Sequence, residues 1–354
     1  MKIALMTAKP NNDCIVGKYK FAVDEKRPPT GIGYLYKILK ENNFDVEFYD
    51  RYCGDYSFDF NKVYDFVGIY CASVCTDDIK YIINNVKSNK IAVGGPHASL
   101  FPEWFSLKVD YIIQGEAENI IIDLVNDKYD ERIIKTDRLS SEFLNSIPRY
   151  PYEYFLKNKK NYIWKSPFSN TTPVFMLSSS RGCPYSCSFC SVKNIWGHKL
   201  TSMSAERVFS DIKYIKSLGA KGIYFREDNF TVNKKRLIKL CNYMMGSGLE
   251  WCCETRADAI DEDTAKIMSE AGCIGFYIGV ESLSQHMLDI FNKQIKVDQI
   301  IKCFELSHKY NIKTAASMIK GHPEETNVDR NQTNRLLKVI NPTMKWFNQY
   351  RTEG

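Results

Sequence analysis

No apolar run in this 354-residue chain approaches the roughly 20 residues a membrane-crossing helix needs. No apolar h-region follows Met1-Lys2, so the N-terminus does not read as a secretory leader. Long basic tracts are missing too: the net charge of +6 is spread over a charged fraction of 25%, which gives no basis for nucleic-acid binding. The Lys-, Asn- and Ile-rich composition is what an AT-rich genome produces. The 12 cysteines are scattered rather than regularly spaced, whereas a secreted disulfide scaffold would be shorter and denser in cysteine. These absences point to a cytoplasmic protein with no membrane partner, and the length suggests about two domains.

Three of the cysteines do stand together. Arg181-Gly182-Cys183-Pro184-Tyr185-Ser186-Cys187-Ser188-Phe189-Cys190 sets them at CxxxCxxC spacing just after the apolar run Val174-Phe175-Met176-Leu177. Three thiolates on one tight loop can each hold one iron of a [4Fe-4S] cube and leave the fourth iron open to a substrate. Zinc is the alternative, but structural zinc closes with four N or S ligands. Nothing nearby supplies the fourth except His198, past an expected loop. With Phe189 immediately before Cys190, the segment closely resembles the radical S-adenosylmethionine (SAM) enzymes. The resemblance implies a [4Fe-4S] cluster on Cys183, Cys187 and Cys190, whose open iron chelates the methionine end of SAM. One electron then cleaves the sulfonium to a 5'-deoxyadenosyl radical, so the resemblance also implies a donor such as flavodoxin or ferredoxin.

Ahead of this motif, short apolar strands alternate with helical stretches, the pattern of a parallel α/β sheet. Strands are expected at Lys2–Met6, Asp45–Tyr49, Phe66–Tyr70, Lys90–Val93 and Tyr111–Ile113, with helices such as Gly33–Glu41 and Ile79–Val86 between them. Five such units form a flavodoxin-like, Rossmann-type sheet whose ligand crevice lies at the carboxyl ends of the strands. The loops at those ends carry Pro29, Thr30 and Gly31; Ala72 and Ser73; Gly94 and Gly95; Gly115 and Glu116. Their order resembles the cobalamin-binding domain that precedes many radical SAM domains, over residues 1–125, and the resemblance implies that these residues contact cobalamin. The chain has no Asp-x-His-x-x-Gly to supply a histidine to cobalt, and His97 in Gly-Gly-Pro-His reads as a loop histidine.

Residues 126–172 read as a connector marked by Ile147-Pro148-Arg149-Tyr150-Pro151. The aromatics and lysines between Tyr150 and Trp164 suit either rings packed on the flanking domains or a stacking surface for nucleic acid, and the first reading is favoured.

Residues 173–354 carry a second βα series. Strands are expected at Val174–Ser178, Gly222–Phe225, Glu250–Cys253, Ile274–Ile278, Thr314–Met318 and Lys345–Gln349, with a helix over Ala205–Leu218 stopped by Gly219. This makes the partial (β/α)6 barrel of the radical SAM fold, with its active site at the C-terminal strand ends. There the resemblance implies SAM contacts from Phe189; from Glu227 and Asp228, where Asp228 also suits a helix N-cap; from Glu254 and Arg256, which alternatively form a structural ion pair; and from Glu281 and Ser282 in the ribose motif. Ser317, Ile319 and Gly321 complete the set in a Gly-x-Ile-x-Gly-x-x-Glu segment whose first glycine is Ser317 here. The chain stops just after the sixth strand, where relatives usually continue, which suits a compact version or a shortened chain.

The whole pattern implies cobalamin-dependent methylation of an unactivated carbon or phosphorus centre in a small-molecule or peptide substrate. Two readings compete with it: a radical dehydratase, epimerase or cyclase with a degenerate front domain, and a non-catalytic corrinoid or iron-sulfur sensor, which would not need the full set of SAM loops.

Overall fold

The computed structural model describes residues 1–11 and 26–350, and the chain divides into two units, residues 1–163 and 164–354. In the first, runs rich in Ile, Val, Phe and Tyr become β1 (Lys2–Thr7), β2 (Asp45–Asp50), β3 (Val63–Tyr70), β4 (Lys87–Gly94), β5 (Tyr111–Gln114) and β6 (Ile133–Lys135). They form one sheet in the order β2-β1-β3-β4-β5-β6, parallel throughout. This is the flavodoxin-type order, and its direction reverses between β1 and β3, where such sheets open a ligand crevice. Met6, Val67, Ile69 and Val93 pack with Ile79 and Ile82 of the helix Thr76–Asn85 to make the core on one face.

The sheet has six strands where five were expected. The sixth, β6, lies in the stretch read as a connector, and three residues are too few to show an alternating pattern. Residues 136–163 of that stretch also belong to the first unit, whereas 164–172 belong to the second. Tyr150, Tyr152 and Phe155 are buried, with Tyr150 and Phe155 stacked at 5.3 Å, while Lys157, Lys159 and Lys160 are exposed. Tyr154 donates its hydroxyl to the Phe48 carbonyl at 2.8 Å, and Tyr150 donates to the Pro29 carbonyl at 3.0 Å. Most of the rings between Tyr150 and Trp164 thus turn inward and the lysines outward.

The second unit holds a parallel sheet of β7 (Val174–Leu177), β10 (Gly222–Phe225), β11 (Glu250–Thr255), β12 (Cys273–Glu281), β13 (Lys313–Lys320) and β14 (Met344–Gln349), in the order β14-β13-β12-β11-β10-β7. All six expected strands are present, and the sheet stays open between β7 and β14. Alternation along the strands sorts two faces. Val174, Tyr224, Cys252 and Ala315 gather with Tyr277 and Trp346 on one. Phe175, Phe225, Trp251 and Phe276, at neighbouring positions, are fully buried. The helix Ala205–Ser217 starts at Ser204, whose hydroxyl accepts from Arg207 N, and ends before Gly219 at φ +92°. Two strands went unforeseen: β8 (Ser180–Arg181) and β9 (Thr201–Ser202) pair antiparallel and so close the loop that carries the three cysteines. No helix among the described residues is long and apolar enough to cross a membrane.

Gly33 lies within the helix Thr30–Glu41, where Gly→Ala ordinarily stabilises by about 1 kcal/mol. Here an added Cβ would sit 2.5 Å from Tyr150 Cε2. Gly33→Ala is therefore expected to destabilise by about 1–3 kcal/mol through overpacking, measured by denaturant unfolding. A stabilised variant would show that the 126–163 stretch does not pack on this helix.

Candidate functional site

The cysteine loop lies at the C-terminal edge of the second sheet and is held from three directions. The first is the end of β10. Glu227, buried, accepts from Ser179 N and Ser179 Oγ, both at 2.5 Å, and from Ser180 Oγ. Asp228 accepts from Gly182 N at 2.8 Å. Both carboxylates thus fix the backbone that leads into Cys183. The N-cap proposed for Asp228 belongs instead to Asn233, whose side chain accepts from Arg236 N at 3.0 Å. The second is the end of β11, where Arg256 donates to Cys187 Sγ at 3.7 Å. The third is the turn after the helix Gln285–Ile290. Ser188 N donates to Phe291 O at 2.9 Å, Asn292 Nδ2 donates to Ser186 O at 3.0 Å, and Phe189 meets Phe291 edge-on at 5.3 Å.

Burial pushes the Cys183 and Cys190 thiols up, and the charge of Cys187 adds to the rise in both, while Arg256 works against it at Cys183. Three thiolates this close need positive charge beside them, and bound metal deprotonates a thiol outright. No three His, Cys, Asp or Glu side chains among the described residues converge as ligands of a single ion. A cube does not ask for that, because each thiolate takes its own iron.

The other residues expected to contact SAM lie on or just past β10 to β13. Asn229, next to Asp228, is buried; its Oδ1 accepts from Thr231 Oγ1 at 3.2 Å and its Nδ2 has no partner among the described residues; sequence reasoning passed over it. Glu254 accepts from Tyr224 OH at 2.6 Å. Glu281 sits at a bulge between β12 and β13 with φ +63° and pairs with Lys293 Nζ at 3.1 Å, both side chains being buried. Lys293 belongs to the turn that holds the cysteine loop, so removing Glu281 would disturb that loop as well as any ribose contact. The Ser282 hydroxyl accepts from Ser284 N at 3.1 Å and shares a hydrogen bond with Thr333 Oγ1, which ties it to the helix Asn327–Ile340. On β13, Ser317 and Ile319 are half-buried, and Ser317 Oγ accepts from Asn348 Nδ2 at 3.0 Å, so the side chain at this usual glycine position is accommodated. Gly321 follows with φ +82°, and a Cβ there would meet Gln349 Nε2 at 2.1 Å.

In the first unit the expected cobalamin loops lie at the carboxyl ends of the strands. Gly31 and Gly94 face open space, with nothing nearer than 3.9 Å to a built Cβ. Gly95 and Gly115 are glycine for a different reason. A Cβ at Gly95 would come within 3.0 Å of Cys71 O, and one at Gly115 within 2.4 Å of Thr136 Oγ1, so the fold's own packing excludes a side chain. Glu116 is buried and accepts from Arg138 Nε at 2.9 Å and Leu139 N at 2.8 Å, which holds the segment just after β6. Pro29 and Thr30 open the helix Thr30–Glu41; Ala72 and Ser73 follow β3, and Ser73 Oγ lies 3.1 Å from His97 Nδ1. His97 is buried against Trp104 at 4.7 Å and Phe101 at 5.2 Å, and its Nε2 has no hydrogen-bond partner among the described residues.

The Radical SAM superfamily profile matches residues 177–337, and the B12 binding domain profile matches residues 21–125. The chain joins a B12-binding domain to a radical SAM domain. An uncharacterized methyltransferase of Pyrococcus horikoshii is 28% identical, over 96% of this chain and 78% of the relative. The anaerobic magnesium-protoporphyrin IX monomethyl ester cyclase of Cereibacter sphaeroides is 24% identical, over 78% of this chain and 49% of its own length. The radical SAM methyltransferase TsrM of Kitasatospora setae, solved with cobalamin and a [4Fe-4S] cluster, superposes with a TM-score of 0.74 at 14% identity. That match covers 99% of this chain and 72% of TsrM, and it shows a shared fold.

Within the radical SAM domain, Asp329 ties its own helix, Asn327–Ile340, to Ser284 and His286 at the start of the helix Gln285–Ile290. Burial alone would raise its carboxyl, but hydrogen bonds from Ser284, Thr326 and His286 hold it well below the usual carboxylate range. A depressed acid adds stability that is complete above its unfolded pKa, about 3.9, and is lost as pH falls towards the folded value. Asp329→Asn is expected to cost about 2 kcal/mol at pH 7, with the gap to wild type narrowing below about pH 4, measured by urea unfolding across pH. A gap independent of pH would refute this assignment.

Proposed function

We propose that this protein is a cytoplasmic, cobalamin-dependent radical SAM methyltransferase acting on an unactivated carbon or phosphorus centre of a small-molecule or peptide substrate. The observation that carries this reading is the pairing of a B12-binding domain with a cysteine loop braced at the strand ends of a radical SAM domain. Bound together, the cluster and SAM supply a 5'-deoxyadenosyl radical for hydrogen abstraction, and the corrinoid supplies the methyl group.

The chain's own residues bind, orient and shield. Cys183, Cys187 and Cys190 would hold the cluster as thiolates, their protons leaving to solvent. Asn229 carries an unpartnered amide donor next to Asp228, and Gly321 takes a left-handed backbone just after β13 that a side chain would strain. Glu254, held by Tyr224 at 2.6 Å, supplies an acceptor at the end of β11. An electron donor such as flavodoxin or ferredoxin completes the system.

Similarity to the cyclase, whose name carries no methyl transfer, favours a second reading in which the same radical chemistry proceeds without methylation. Anaerobic incubation of the reconstituted full chain with SAM and dithionite, with and without hydroxocobalamin, separates the two. Methyl transfer predicts S-adenosylhomocysteine that depends on hydroxocobalamin, together with 5'-deoxyadenosine. Deoxyadenosine alone, and no saturable hydroxocobalamin binding, would favour the second reading. Both products are expected to vanish when Cys183, Cys187 and Cys190 are all replaced by Ala; products that persist would overturn the cluster assignment.

A further inference from the structure

Arg256 follows β11, two positions after Glu254, a spacing that pairs the two side chains on one side of an extended strand. The structure separates them. Glu254 binds Tyr224, whereas Arg256 turns to the cysteine loop and is 6% exposed. Its Nε and Nη2 each donate at 3.0 Å to a different oxygen of Asp258. Nη2 also donates to Lys293 O at 2.7 Å, and Nη1 donates to Cys187 Sγ at 3.7 Å. The guanidinium lies over the Tyr185 ring, 3.7 Å from its centre. Four of its five N–H groups are thus engaged within the protein. A two-pronged grip on the SAM carboxylate would require breaking the contacts to Asp258 or Cys187.

We propose that Arg256 is a positioning residue of the cluster loop, which fixes Cys187 through an N–H···S bond and raises the reduction potential of the cluster bound there. The inference rests on the cluster reading above. Reduction adds negative charge to a cluster, and a hydrogen bond to a ligand sulfur, together with a buried cation nearby, favours the more negative state. A planar guanidinium can hold a carboxylate with one edge, stack on a ring and still present an N–H to sulfur, which a lysine ammonium cannot do in one geometry. Asp258 and the Lys293 carbonyl set the plane; Tyr185, inside the cysteine motif, supplies the stacking surface.

The test uses the full chain reconstituted anaerobically as wild type, Arg256→Lys and Arg256→Met. Three quantities are measured: iron and sulfide per chain, the midpoint potential by EPR-monitored titration without SAM, and SAM affinity. The expected result is a SAM-free midpoint that moves to more negative values in both variants, furthest in Arg256→Met. If Arg256→Met does not fold, Arg256→Lys decides alone. Fully loaded variants whose midpoints equal that of the wild type overturn the proposal. An effect confined to SAM affinity also overturns it and returns Arg256 to the SAM carboxylate. A wild type that takes up zinc and no sulfide refutes the cluster reading itself, and the inference with it.

Discussion

A loop that presents three thiolates has no regular hydrogen-bond ladder of its own, so its backbone must be held by something outside it. Here that is mainly the buried carboxylate of Glu227, which takes the amide and hydroxyl of Ser179 and the hydroxyl of Ser180 at once. Arg236 reaches the same Ser179 hydroxyl at 2.5 Å and the Met203 carbonyl at 2.7 Å, so the carboxylate is buried with a cation nearby rather than alone. Removing one partner of such a network leaves unpaired polar groups in a dry place, at about 1–3 kcal/mol each. The cysteine positions, the β8–β9 pairing and the entry to Cys183 all depend on this contact.

The same principle recurs at other strand ends. Asp228 holds Gly182, Arg256 holds Cys187, Glu281 holds Lys293, and Glu116 of the first unit holds Arg138 and Leu139. Charged residues just past parallel strands look like ligand contacts by position, yet in this chain many of them brace the loops that would form the sites. Less conspicuous features lie beside them: the unpartnered Asn229 amide nitrogen, the open space beside Gly31 and Gly94, and the half-buried Ser317 and Ile319.

Strand order and the cysteine loop were legible because each rests on a local signal. Gly222–Phe225 is a short apolar run bounded by polar residues, and the strand has those limits; the CxxxCxxC spacing is visible by itself. β6, β8 and β9 are two or three residues long and carry no period. The turn Phe291-Asn292-Lys293-Gln294 was missed because its contacts reach about a hundred residues back in the chain. Its only trace is an asparagine of the kind that tolerates the left-handed backbone seen at Asn292, φ +47°. Side-chain direction was the least legible of all. Alternation placed Glu254 and Arg256 together, but Arg256 lies just beyond the strand, where alternation no longer applies.

The central claim is that the second unit's own residues build the cysteine loop, ready to receive a cluster. Amide-resolved hydrogen exchange on the metal-free, reduced full chain tests it most directly. The account predicts that Ser179, Gly182 and Ser188, whose amides donate to Glu227, Asp228 and Phe291, exchange far more slowly than in an unstructured peptide. Exchange of all three at the unstructured rate would show that the loop forms only around the cluster and would contradict the account.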